Sequence, residues 1–536
     1  MIARLPFLTG ALCTVHVFIL LGTASDQSPT PTAFPVREYW YNATLDHFNF
    51  AKTTRSFPLR FFVNDEHWQV AKSGPILFYC GNEGDIVTFV NSSGQAFEFA
   101  KSLGAMLVYA EHLHYGASMP FGEDSGQQGK IEFLSVEQAL ADFSELLLHV
   151  RKAWSVLEEV AVVAFGGSYG ANLAYWWRAR QPNLVAGALA ASATPQKHLL
   201  RDSNAFARIW TDVYRNVSGL CPEIVYHGFL DMQKSWATPA GRKEAADALG
   251  LCGSEELDFD TVYGWLVDGL ETMVQYGYPY PTEFYAGRPL PGEPYRAACE
   301  AMLPHQLQPL VALRAAAGVF HNYTGQAGPC FDLSGPSDTN TLEGRRHTRP
   351  RPRRPSGVRA LATSEGQPTL DAWGYQSSGC NYTKLQYRQC CTEVYQPMPT
   401  LGLSGGDMEL PSSPNFTAYS EDCEARYGVV PRPGWEEMWF WGPDVHTLTN
   451  VFFTNGQLDP WRSAAISKLP VGTRPGADVQ IRLLEHSAHH LDLRSSHPLD
   501  PPSVTAVRLE QLEAVKRWAG EWRRSHAARS QPAVMI

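Results

Sequence analysis

The chain has 536 residues, 44% of them hydrophobic and 12% aromatic, and a formal net charge of −10. That apolar content excludes a disordered chain and is enough for a large core carrying insertions, or for two cores. The acidic balance argues against nucleic acid as the main partner, because phosphate binding needs a basic face.

Residues 1–25 hold one arginine, Arg4, then an interrupted apolar run, then the small residues Gly22, Thr23, Ala24 and Ser25, the layout of a cleavable secretory signal. No later stretch is apolar for long enough to span a bilayer, so no membrane span is expected in the mature chain. Loss of Cys13 with the signal leaves Cys80, Cys221, Cys252, Cys299, Cys330, Cys380, Cys390, Cys391 and Cys423, an odd number in an oxidising compartment. At least one of them stays free or pairs elsewhere. There is no C-x-x-C, so disulfides are expected rather than zinc, and no metal or other cofactor is implied. Glycosylation sequons at Asn42, Asn91, Asn216, Asn322, Asn381 and Asn415 fit the same secretory route, ending in a lysosome, a vesicle or the extracellular space.

In chain order, "GPILFYCGNEGD" (74–85) and "GAMLVYAEHLHYG" (104–116) are apolar runs breaking into loops, the pattern of buried strands. "SVEQALADFSELLLHVRKAW" (135–154) has apolar residues at helical spacing, with Ser135 and Gln138 as a capping box. "VAVVAFGGSYG" is again strand then turn, "ANLAYWWRARQP" is a helix stopped by Pro182, and "VAGALAASAT" is one more strand. Strands alternating with helices imply a mostly parallel sheet with crossover helices. After about residue 195 the rhythm becomes helical to 320 and turn-rich from 330 to 440. Strand patterns return at 449–461 and 477–493, and a final helix follows. The expected organisation is one sheet domain assembled from residues 35–195 and 441–525, with a mainly helical insertion over 196–440 that roofs the site. Within the insertion, a basic, proline-rich run near 338–365 reads as an exposed loop.

Gly166-Gly167-Ser168-Tyr169-Gly170 satisfies G-x-S-x-G between a strand and a helix, where flanking glycines allow the turn that lifts a serine above a sheet. In an α/β-hydrolase the acid and then the histidine follow at the ends of later strands. Asp459 in "NGQLDPW" and His489, beside His490, in "EHSAHHLDL" stand in that order. The Tyr169 main-chain N–H, just after the nucleophile, and Asn82 in "CGNEGD" are the expected oxyanion donors.

These residues resemble the family of serine exopeptidases containing lysosomal Pro-Xaa carboxypeptidase and dipeptidyl peptidase II. The resemblance rests on "LDHFNF", "GPILFYCGNEGD", "FLSVEQALADFSELL", "GGSYGANLAYW", "VAGALAASA", "YPYPTEF", "VVPRPGW", "NGQLDPW" and "AHHLDLRSSHPLDP". It implies an α/β-hydrolase fold with a helical cap between the Ser and Asp segments, and cleavage after proline at a peptide terminus. It assigns Ser168 as nucleophile, Asp459 as acid and His489 as base. It also implies dimers, acidic compartments, a free Cys80, and disulfides joining Cys221 to Cys252, Cys299 to Cys330, and Cys391 or Cys390 to Cys423.

Between the branches, "YPYPTEF", "DSNAFARIWTDV" and "SSHPLDPPSV" look more like dipeptidyl peptidase II. That enzyme takes peptides with proline or alanine second and must hold a free amino terminus against a carboxylate. The family's W-[DS]-Y-Q-A-C-T-E is broken here into "WGYQ" and "CCTE", with Gly374 at the branch-distinguishing position, so Asp371 or Glu83 is the candidate carboxylate, with Trp461 as a further substrate contact. Leu113 and His114 stand where the family has Arg and Tyr, and "RSAAIS" replaces a glycine run after "LDPW". The alternatives are a carboxypeptidase acting after proline and, from another class, a catalytically impaired peptide-binding relative.

Overall fold

The computed structural model describes residues 32–529 apart from 51–54, 70–73, 196–202, 254–256, 284–288, 327, 334–383, 395–397, 441–445, 470–472 and 475. The signal segment, Asp371, Gly374, Asn381 and the basic run lie outside the described residues.

Eight strands form one sheet in the order β1-β2-β4-β3-β5-β6-β7-β8. They are β1 (Arg37–Thr44), β2 (Ser56–Asn64), β3 (Ile76–Cys80), β4 (Met106–Ala110), β5 (Val162–Gly167), β6 (Gly187–Ala191), β7 (Val451–Gly456) and β8 (Val479–Leu484). β2 pairs antiparallel with β1 and β4, and every other neighbour is parallel. This is the α/β-hydrolase fold. β3, β4, β5 and β6 are buried along their whole length because helices cover both faces. On one face Phe78, Val108 and Val162 pack with Phe143 and Trp177 from the Val136–Ala153 and Tyr169–Arg180 helices. On the other, Leu77, Leu107, Val163 and Phe452 pack with Phe99 and with Trp518 of the Pro502–Arg529 helix. The two sets alternate along each strand, as the period of two requires.

β1 and β2 are the elements that the sequence periodicity did not reveal. They form an antiparallel edge pair, and β2 alternates only over its first residues before running into an unbroken buried stretch. At the Val136–Ala153 helix the Ser135 side chain accepts from the Gln138 N–H at 3.3 Å, as a capping box predicts. The Gln138 amide does not reach back. It accepts from the His47 N–H and donates to Asp46 instead.

Between β6 and β7, which lie side by side, the chain leaves the sheet and builds, among the described residues, six helices over 205–321, Ala205–Val217, Leu220–Trp236, Pro239–Leu249, Phe259–Gln275, Pro294–Met302 and Pro309–His321, and three later ones, Lys384–Cys390, Phe416–Tyr427 and Trp435–Phe440. The first six enclose a core of their own that includes Trp210, Phe229, Leu266 and Leu313. A smaller cluster, Tyr115, Leu134, Cys391, Tyr419 and Tyr427, joins the later helices to the loop after β4.

Two disulfide pairings implied by the family resemblance are corrected. Cys221 bonds Cys299 and Cys252 bonds Cys330, each across 78 residues, rather than Cys221 to Cys252 and Cys299 to Cys330. The reason lies in the backbone. A parallel bridge joins Leu251 to Phe331, and the Cys252 N–H donates to the Phe331 carbonyl at 2.9 Å, which seats Cys252 beside Cys330. Cys221, at the start of one helix, then faces Cys299 on another, with Cα atoms 5.6 Å apart. Cys391 bonds Cys423 as expected, Cys390 is also disulfide-bonded, and Cys80 is free and buried. Asn42, Asn91, Asn216 and Asn415 are exposed and Asn322 is half-buried. Among the described residues no helix is long and apolar enough to cross a membrane.

Candidate active site

Ser168 sits between β5 and the following helix at φ 58°, ψ −124°, a conformation that costs a non-glycine residue about 1–3 kcal/mol. The glycines of the motif make the turn possible. A Cβ on Gly166 would stand 2.4 Å from the Gly170 carbonyl carbon, and one on Gly170 would stand 2.3 Å from Asn82 Oδ1 and 2.6 Å from the Cys80 carbonyl. Ser168 donates its main-chain N–H to the Ala191 carbonyl at 2.9 Å, which ties the turn to the end of β6.

The acid and histidine arrive from the last two strands. Asp459 follows β7 and is fully buried, and its Oδ2 meets His489 Nδ1 at 2.7 Å while its Oδ1 accepts from the Trp461 N–H at 3.0 Å. A buried carboxylate on Nδ1 fixes the tautomer that leaves Nε2 as the acceptor. His489 Nε2 is buried and has no hydrogen-bond partner among the described residues.

The geometry also separates two adjacent histidines and two nearby aspartates. His490 Nδ1 accepts from Arg494 Nη2 at 3.0 Å, and burial, with the neighbouring His489 and Arg494, holds its pKa well below the ordinary imidazole value. The His490 N–H donates to Ser192 Oγ at 2.8 Å. His490 thus seats the loop beside the elbow, with its Cδ2 3.0 Å from where a Gly167 Cβ would lie. Asp492 accepts from Thr454 and Gln511, anchoring the same loop to β7 and the last helix.

Asn82 lies against the elbow with its side chain committed: Nδ2 donates to the Gly167 carbonyl at 2.7 Å and Oδ1 accepts from Tyr79 at 2.8 Å. What it can offer an oxyanion is its main-chain N–H. Tyr169 is the first residue of its helix, so its N–H has no carbonyl one turn back.

The family model described as Serine carboxypeptidase S28 matches residues 43–346 and 374–510. The chain belongs to this family. The lysosomal Pro-X carboxypeptidase of Mus musculus is 34% identical over 94% of this chain and 96% of its own length. The Homo sapiens protein of that name is 33% identical, covering 91% of this chain and 90% of its own length. The thymus-specific serine protease of Mus musculus is 27% identical over 93% of this chain and 90% of its own. The chain is therefore a serine-type exopeptidase by family.

Several residues that contact His489, Trp461 or Tyr169 escaped the sequence reading. Gln275 ends the Phe259–Gln275 cap helix, accepts the His489 N–H on its carbonyl at 2.9 Å and accepts Trp461 Nε1 on its side chain at 3.2 Å. Tyr278 donates its hydroxyl to the His489 carbonyl at 2.9 Å. The Tyr169 hydroxyl lies 3.0 Å from His112 Nε2 and accepts from Gln389, which in turn accepts from Tyr115. Burial holds His112 down at about 4, so its ring is neutral and accepts from Tyr169. Only "YPYP" carried a signal, and it marked a family rather than a contact.

Of the proposed substrate contacts, Trp461 is largely buried against Phe206 and donates its main-chain N–H to Asp459. Glu83 is half-buried. Burial chiefly, with the Glu83 charge among the lesser causes, raises the phenols of Tyr79, Tyr169 and Tyr276. His114, at the position of the expected Tyr, is buried at φ 66° and held down at about 3, chiefly by burial. The replaced glycine run forms a short turn, Pro460–Ala464, with Ala464 in the cap core.

Proposed function

We propose that the chain is an exopeptidase cleaving after proline or alanine through an acyl-enzyme, with Ser168 as nucleophile, His489 as general base and acid, and Asp459 as its partner. The observation that carries this reading is the buried Asp459–His489 pair with a free Nε2, held by the last two strands of the sheet that carries the strained Ser168 turn. Ser168 Oγ attacks the carbonyl of the proline residue while His489 Nε2 takes its proton. The N–H groups of Tyr169 and Asn82 receive the oxyanion. Nε2 then protonates the leaving amine, and water reverses the sequence to release the acyl product.

We infer that the substrate enters amino terminus first and leaves as Xaa-Pro or Xaa-Ala. The carboxylate of the half-buried Glu83, whose charge acts on Tyr169 and Tyr276, supplies the anion that a free amino terminus needs. A second reading, removal of the residue after a penultimate proline, is favoured by the Pro-X carboxypeptidase relatives at 33–34% identity. Hydrolysis of a Lys-Pro amide is tested beside a peptide ending in Pro-Phe. Turnover of the first alone supports the dipeptidyl reading, and turnover of the second alone overturns it. Disulfides and the lysosomal relatives support a secretory route to a lysosome or the cell exterior.

A further inference from the structure

The stretches "LDHFNF" and "FLSVEQALADFSELL" take no part in the site described above, yet the fold brings them together. His47 lies in the connection after β1, and Asp142 and Glu145 lie one turn apart on the Val136–Ala153 helix, so that both carboxylates share a face. One ligand atom from each of the three lies within 4.8 Å of the others. His47 Nε2 is 2.7 Å from Asp142 Oδ1 and 3.8 Å from Glu145 Oε2. Two ligands on a tetrahedral zinc ion at 2.0–2.1 Å stand about 3.3 Å apart, a value these two distances straddle.

Two further observations separate this group from an ordinary ion pair. Asp142 is 1% exposed, and its second oxygen, Oδ2, is buried with no hydrogen-bond partner among the described residues. A buried carboxylate oxygen left bare is costly unless something positive meets it. The surroundings are also built to hold the ligands. Glu145 Oε1 accepts from Tyr41 and Thr44 hydroxyls at 3.2 and 3.1 Å, and its Oε2 accepts the Thr44 N–H at 2.9 Å. Gln138 fixes the His47 main chain at 3.0 Å and Asp46 at 2.8 Å, which is why it is unavailable for the capping box. Such outer partners orient metal ligands and tune their affinity.

We propose that His47, Asp142 and Glu145 form a site for one divalent transition-metal ion, zinc by preference, which clasps the β1–β2 connection to the helix covering the sheet. One imidazole and two carboxylates suit zinc or manganese better than the all-oxygen shells of calcium and magnesium. Binding releases the proton that Nε2 shares with Asp142 Oδ1, and the charge of the ion balances the two carboxylates. His47 is 15% exposed and Glu145 30%, so the ion reaches the site from solvent and keeps water in its remaining position. Its ligands come from the β1–β2 connection and the Val136–Ala153 helix, which supply none of Ser168, Asp459 or His489, so its role is to stabilise rather than to catalyse.

The test uses full-length protein stripped with a chelator and titrated with zinc chloride at neutral pH, followed by calorimetry and by metal content after desalting. The expected result is one equivalent bound per chain and a raised melting temperature, with at least tenfold weaker binding in His47→Ala and in Glu145→Gln. Glu145→Gln keeps the His47–Asp142 bond and therefore the local fold, so it decides the matter if His47→Ala does not fold. No saturable uptake of zinc or manganese by the wild-type chain overturns the proposal, as does uptake unchanged in Glu145→Gln.

Discussion

The nucleophile turn and the histidine loop stand a few ångströms apart and are held in opposite ways. Ser168 is held almost entirely by its own neighbourhood: two glycines that cannot carry a Cβ, a helix start, and one bond to the adjacent strand end. His489 is held from afar. Its N–H and carbonyl are both taken by residues of the cap, Gln275 and Tyr278, more than 200 positions earlier in the chain. The proposed catalytic pair thus combines one local, self-sufficient half with one half that exists only when a separate lobe has docked.

The largest expected effect tests the local half. Ser168→Ala should lower kcat on the order of a million-fold and abolish fluorophosphonate labelling, while the melting temperature holds, because alanine carries the same Cβ and keeps the same backbone strain. Retained turnover would sink the assignment. Asp459→Asn should cost roughly 10⁴-fold in kcat, because the amide no longer selects the tautomer that leaves Nε2 free. His490→Asn should cost far less, and equal losses would mean that the two histidines have been assigned the wrong way round.

Breaking the distant half begins with the cap's own staples. Cys221→Ala with Cys299→Ala should destabilise by roughly 3–4 kcal/mol, read by urea denaturation, and peptide mapping of the wild-type chain should recover Cys221 linked to Cys299. Recovery of Cys221 with Cys252 would refute the pairing.

Glu393 gives a pH handle next to Gln389. Burial pushes its carboxyl up from 4.5 to about 7. Because the folded value exceeds the unfolded one, the contribution is fully present below about pH 4.5 and is lost as pH rises through 7, a change of about 3 kcal/mol. The wild-type melting temperature should therefore climb between pH 7.5 and pH 5, and Glu393→Gln should flatten the climb. The smallest effect belongs to Gln275→Ala, which keeps the main-chain bond to His489 but strands the Trp461 indole. About 1–3 kcal/mol of stability and about a tenfold loss in kcat are expected, with little change in KM.

The same division explains what the sequence revealed. The strand-end positions of Ser168, Asp459 and His489 were legible because each follows a short apolar strand, in the chain order that the fold uses. The four central strands were legible because burial on both faces leaves an unbroken apolar run. β1 and β2 were not, since an edge pair mixes exposed and buried positions without a steady period. Gln275, Tyr278, His112 and Gln389 were invisible for a deeper reason. Polar residues in helix ends and loops carry no pattern of their own, and their partners are set by how the cap lies on the sheet. The two cap disulfides failed in the same way, as cysteine spacing allows many pairings and the Leu251–Phe331 bridge selects one.

The adjacency of β6 and β7 has a consequence for how the chain is made. About 260 residues separate Ala191 from Val451, which a ribosome adds in roughly 13–50 s. Throughout that interval the serine turn can be finished while one side of β6 waits for its partner, bare to solvent and to chaperones. Asp459 and His489 come later still. On the proposed assignment, a partly synthesised chain therefore carries its nucleophile with nothing to deprotonate it, and the order of synthesis postpones proteolysis until the cap is in place.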